Sequence, residues 1–177
     1  MIPLLTPDAI HTAVGQLSSR ALIRLVTEID DNGAIPPRRL PATLPDVPAH
    51  QLRRAAGTAR ALGLVRVVPG SGLHLTGAGS ELADLYDEAA RTARRHHLPG
   101  PVCEFTDRIR HVLGLLAPAP ATRDDGDING QGPATAGHQD ADGAAQGEVL
   151  AGVRVLLLGW LARHPQAAPL LVLGQAA

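Results

Sequence analysis

The chain has 177 residues and a formal net charge of -1; 45% of its residues are apolar but only 2% are aromatic. That length fits one domain with an appendage and excludes two complete domains, and the balanced charge excludes a chain that holds nucleic acid or membrane by bulk electrostatics. The single cysteine, Cys103, excludes an internal disulfide and any cysteine-built zinc site, and any core must be made of Leu, Val, Ile and Ala.

From the amino terminus, MIPLLTPDAIHT lacks a basic stretch followed by an apolar run, so no signal peptide is expected there. Thr6-Pro7-Asp8 is a helix start, and Ile10, Val14, Leu17, Ala21, Leu25 and Ile29 continue at spacings of three and four, which predicts one long helix with a buried face. Asp30-Asp31-Asn32-Gly33 ends it. Pro36-Pro37 opens a short second helix to about Leu44, and a third starts at Asp46 or Val47 and runs to Gly63, with Leu52, Ala55, Ala56, Ala59 and Leu62 inward. The pattern then becomes extended. Leu64 to Val68, the turn Pro69-Gly70-Ser71-Gly72 and Leu73 to Leu75 predict a small hairpin, after which Thr76 caps a helix carrying Leu82, Leu85, Tyr86 and Ala89 as far as the Leu98-Pro99-Gly100-Pro101 break.

Pro45-Asp46-Val47-Pro48-Ala49-His50-Gln51-Leu52, then Gly63-Leu64-Val65-Arg66, then Leu75-Thr76-Gly77-Ala78-Gly79 resemble the HxlR-type and, more loosely, the MarR-type bacterial winged-helix regulators. The resemblance covers about half the chain. It implies a winged helix-turn-helix over residues 1–99, mainly α with a small β-hairpin, and a regulator that binds double-stranded DNA. Two departures are alanines at Ala56 and Ala59, where leucines are commoner, and Gly57 inside the recognition helix; the redox cysteine of some members is absent.

Charge placement carries the functional reading. Arg38, Arg39, Arg53, Arg54, Arg60 and Arg66 face one acid, Asp46, a local net of +5, whereas residues 100–177 hold five arginines against eight acids. On a helical wheel His50, Arg54, Gly57 and Ala61 lie opposite the core face of the third helix, with Arg53 at the side. A helix entering the major groove needs donors in its amino-terminal half. The expected DNA-binding residues are therefore Arg38, Arg39, His50, Gln51, Arg53, Arg54, Thr58 and Arg66. The hairpin tip has no basic residue, which leaves Arg66 as the wing's phosphate ligand.

Beyond Pro101, Val102 to Leu116 predicts a helix, and residues 117–147 have the composition of a disordered acidic, Gly-rich linker. Residues 148–177 form an apolar carboxy-terminal helix, Val149 to His164, and a tail, Pro169 to Leu173. The longest apolar run, Val153 to Leu161, contains Arg154 and is about half of the roughly 20 residues of a membrane span, so a soluble cytoplasmic protein without membrane contact is expected. A helix apolar on nearly every side cannot face water all round. Homodimerisation through Val153, Leu156, Leu157, Trp160 and Leu161 is the expected remedy.

Other features read more plainly. Asp125-x-Asp127-x-Asn129-Gly130 matches half a calcium loop, but Ala136 stands where the bidentate acid belongs. His96 and His97 are adjacent and cannot chelate one metal from a single helix face, and Cys103 reads as a buried small hydrophobe. No nucleophile motif, phosphate loop or dinucleotide fingerprint occurs, so neither catalysis nor a cofactor is expected. Two other readings compete with the regulator: a winged helix used only for dimerisation, as at the amino terminus of small-molecule O-methyltransferases, and a sensor whose apolar carboxy-terminal helix lines the pocket of a small-molecule effector.

Overall fold

A computed structural model of the chain describes residues 6–100, 103–118 and 139–167, the last stretch with side chains from residue 147 onward. The first helix is not one but two, α1 (Pro7–Leu17) and α2 (Arg20–Asn32). Thr6 caps α1 by accepting a hydrogen bond from the Ala9 amide at 3.2 Å. The break falls at Ser18-Ser19, where the backbone turns extended at Ser19. The elbow lets Ala13, Val14 and Leu17 and then Leu22, Ile23, Leu25 and Val26 all enter one core, which a straight rod could not do. The carbonyl exposed at the end of α1 is satisfied from a distance: the buried Tyr86 hydroxyl donates to Leu17 O at 2.6 Å.

Gly33 ends α2 with φ of 84°, and Ile35 then exchanges both backbone hydrogen bonds with Leu73, at 3.1 and 2.9 Å. A 3₁₀ turn, Pro37–Arg39, leads into the short α3 (Leu40–Thr43). The next helix, α4 (Ala49–Ala61), starts later than Asp46 because Pro48 is extended and Asp46 is held by Arg24. The strands β1 (Val65–Val68) and β2 (Gly72–Leu75) pair antiparallel with Val65 opposite Leu75 and Val68 opposite Gly72. Thr76 joins the hairpin to α5 (Gly77–Arg95): its hydroxyl donates to Gly63 O at 2.6 Å and accepts from the Gly79 amide at 3.2 Å. Gly79 packs so near Leu64 that a Cβ there would overlap the Leu64 carbonyl.

The remaining helices, α6 (Phe105–Leu116) and α7 (Gln139–Arg163), pack on α5, which also meets α2. The fold is thus mainly helical with one small hairpin, as the sequence suggests. α7 begins ten residues before Val149, so 139–147 are helical rather than linker; the rest of the linker, 119–138 with the Asp125–Gly130 motif, and the tail from 168 lie outside the described residues.

The expectation that α7 needs a second copy to cover it is corrected. Val153, Leu157, Trp160 and Leu161 are buried within a single chain, and of the five residues named for dimerisation only Leu156 is open, at 47% exposure. The Trp160 indole donates to Ala78 O at 3.0 Å, while Arg163 at 2.9 Å and His164 at 3.3 Å hold Glu81. These bonds pin α7 to the first turns of α5.

Two expected outcomes follow from this packing. Gly79→Ala should destabilise the fold by about 2 kcal/mol or more, since a rigid backbone carbonyl rather than a flexible side chain must yield; urea denaturation measures it. Trp160 is the only tryptophan, so its emission should be that of a buried indole and should not change on dilution from micromolar to nanomolar protein. A red shift on dilution would place its cover in another copy.

Candidate nucleic-acid interface

α4 is seated by small residues and by one ion pair. Leu52, Ala55 and Ala59 face α2, and the two alanines, 5% and 0% exposed, let the helices approach where leucines would hold them apart. Arg24 on α2 grips Asp46, just ahead of α4, through Nε at 3.0 Å and Nη2 at 3.3 Å. This fork holds the Asp46 carboxyl below the usual carboxylate range and raises the Arg24 guanidinium.

The outer face of α4 carries the expected donors. His50, Gln51, Arg53, Arg54 and Arg60 are exposed and Thr58 is half-buried. They form two rows. Arg53, Gly57 and Arg60 make one, and a Cβ on Gly57 would meet nothing within 4 Å, so that row is flat by sequence and not by crowding. His50, Arg54 and Thr58 make the other, with Gln51 beside it, along a recess of about 510 Å³ between α4 and the α1–α2 elbow. Pro48 gives α4 no side-chain cap, and its carbonyl accepts from the Gln51 and Leu52 amides at 2.9 and 3.1 Å. Arg38 and Arg39 are exposed on the turn before α3, and Arg66 is exposed on β1.

Among the described residues some arginines are ion-paired and others, Arg94 and Arg154 as well as those from Arg38 to Arg66, are not. Arg20, Arg24, Arg91, Arg95, Arg110 and Arg163 each bind a carboxylate within 4.0 Å. Among the described residues, none of the six from Arg38 to Arg66 does, and the one acid in that stretch, Asp46, is already occupied. Acids gather elsewhere. Burial first, and then Asp31, Asp84 and Asp87, push the Asp30 carboxyl up, and Asp87 is raised in the same way with Arg91 opposing.

No family model, no curated protein and no solved structure matches this chain. Among the described residues no three His, Cys, Asp or Glu side chains are grouped to hold a metal, and no helix is long and apolar enough to cross a membrane. Cys103 is half-buried rather than buried, its sulfur 3.9 Å from Leu98 O. His97 has left the helix, with φ of 54°.

Sequence reasoning missed Gln16 and Ser19, which line the recess; the Ser18-Ser19 pair, good N-cap chemistry inside an apolar run, was the available signal. For the clamp beneath α4, Asp46→Asn should lower stability by about 0.5–1 kcal/mol at neutral pH. A depressed carboxylate stabilises above its unfolded pKa and loses that contribution as pH falls through the folded one. The difference from wild type should accordingly vanish in strong acid, which urea titrations at the two pH values would show.

Proposed function

We propose that the chain is a sequence-specific DNA-binding transcription regulator with a winged helix-turn-helix, in which α2, α3 and α4 form the three-helix unit and the hairpin, extended by the Ile35 bridge, is the wing. The observation that carries this reading is the unpaired set Arg38, Arg39, Arg53, Arg54, Arg60 and Arg66, gathered on the turn before α3, on α4 and on β1 while six other arginines are spent in ion pairs. An arginine without an internal partner is free to take a phosphate or a guanine edge. The element order is the one in which a third helix reads the major groove. Thr58, half-buried on the recess side, and the uncharged hairpin tip add little, so recognition falls to α4 with Arg38, Arg39 and Arg66 on the backbone.

The test is a gel shift against the DNA upstream of the protein's own coding region. Arg54→Ala should weaken binding by about 1 to 3 kcal/mol and Arg53→Ala should also weaken it; Arg91→Ala, which removes a paired arginine, should not. Unchanged affinity in the folded Arg53→Ala, Arg54→Ala double variant would sink the reading.

Two half-sites about 34 Å apart are the natural target of a two-fold dimer. With the buried row of α7 committed to its own chain, the surface that we assign to the second copy is Val155, 69% exposed, and Leu156. Sedimentation at micromolar concentration should show a dimer for the wild type and a folded monomer for Leu156→Glu. A monomeric wild type would restrict the protein to single sites.

A further inference from the structure

The corner that joins α4 to the hairpin is closed by three separate parts of the chain. α4 ends in a cap of its own: Gly63, with φ of 69°, donates its amide to Arg60 O at 3.0 Å, and the Leu64 amide returns to Ala59 O at 2.8 Å. Thr76 ties into the same place from the far end of the hairpin. Its amide donates to Leu64 O at 2.9 Å, and its hydroxyl lies 2.6 Å from Gly63 O and 3.1 Å from Leu64 O. A two-stranded hairpin is marginally stable alone, so the direction in which it leaves α4 depends on what packs around this corner.

The third part is the end of α7 and the 3₁₀ turn after it, Pro165–Ala167. Trp160 donates to Ala78 O at 3.0 Å, just past Thr76, and Arg163 and His164 reach Glu81 one turn further along α5. Arg163 first, and then His164, hold the Glu81 carboxyl below the usual carboxylate range. The His164 ring packs on the Trp160 indole with centroids 5.1 Å apart. The turn then ends on the fully buried Ala167 and lays Gln166 against the corner, where a Cβ on Gly63 would stand 3.5 Å from the Gln166 amide nitrogen. Residues 160–167 thus touch both the start of α5 and the end of α4. α7 is one uninterrupted helix, and its open side at Val155 and Leu156 lies about one turn before Trp160. A displacement applied there reaches the corner through a stiff element.

We infer that residues 160–167 are a strap that couples the lie of α7 to the joint between α4 and the hairpin. Seated, the strap holds the joint; lifted, it lets the hairpin move relative to α4. On the DNA-binding reading the seated form keeps Arg53 and Arg54 on α4 and Arg66 on β1 in one geometry for the duplex, so DNA and the seated strap favour one another. This second half rests on the proposed function; the strap itself does not.

The experiment is amide hydrogen exchange of the full ¹⁵N-labelled chain and of two variants, whose spectra report directly that they are folded. Trp160→Phe keeps a buried ring and loses the bond to Ala78; Glu81→Gln removes the charge that Arg163 and His164 share. In both, the amides of Gly63, Leu64 and Thr76 should gain about fivefold in exchange rate over any gain at Ile23 and Leu25 in α2. Equal acceleration at the two places would make these bonds supports of the whole fold, and no acceleration at the corner would leave it independent of α7; either result would overturn the strap. In the second arm the wild type is saturated with the upstream DNA. By reciprocity the exchange of the Trp160 indole proton, which lies outside the proposed interface, should slow about fivefold or more. An unchanged indole rate on saturation would overturn the coupling to DNA, whereas a chain that binds no DNA at all would refute the regulator and leave the strap to the first arm.

Discussion

A single buried hydroxyl sets the geometry on which the rest of the molecule depends. Tyr86, at the middle of α5 and fully enclosed, gives its proton to the carbonyl of Leu17 at 2.6 Å, the last residue of α1. Burial pushes its ionisation above the ordinary range for a phenol, so the hydroxyl is a donor at neutral pH. The bond closes the end of α1 at the point where the chain must turn. The turn frees the amino terminus of α2, and α2 in turn carries Arg24, which fixes Asp46 and with it the start of α4.

Local chemistry made much of the fold legible. Thr6 and Thr76 read as caps and are caps; Pro69 to Gly72 read as a turn and joins two strands in register. The elbow escaped because Ile10, Val14, Leu17, Ala21, Leu25 and Ile29 keep helical spacing straight across Ser18-Ser19, and periodicity does not register a bend that leaves the phase intact. The start of α7 escaped for a different reason: Asp, Gly and Gln among residues 139–147 suggest a linker, yet Ala141, Ala144 and Ala145 favour helix, and extending an existing helix costs far less than nucleating one. Trp160 shows the limit of composition. Its acceptor, Ala78, lies 82 residues away in sequence, and a one-dimensional pattern cannot say whether an apolar face is covered by its own chain or by another.

The candidate interface was legible in charge and not in shape. Counting arginines against acids singled out the stretch Arg38 to Arg66, which contains a single carboxylate. What the count could not supply is that Asp46 is withdrawn by Arg24 and Arg20, that Arg20, Arg91, Arg95, Arg110 and Arg163 are held by Glu104, Glu88, Asp107 and Glu81, and that Gln16 and Ser19 come to lie beside Arg54. Charge that is internally balanced contributes to the fold, and charge left over is available to a partner. The distinction between those two populations is the core of the functional reading.

That distinction is measured most directly by the salt dependence of DNA affinity, since each arginine on a phosphate releases counterions and adds to the slope of log K against log salt. The account predicts that Arg38→Ala and Arg66→Ala each lower the slope by about 1, and that Arg91→Ala and Arg95→Ala, which remove paired arginines, leave it unchanged. A slope insensitive to Arg38 and Arg66, or equally sensitive to all four substitutions, would contradict it.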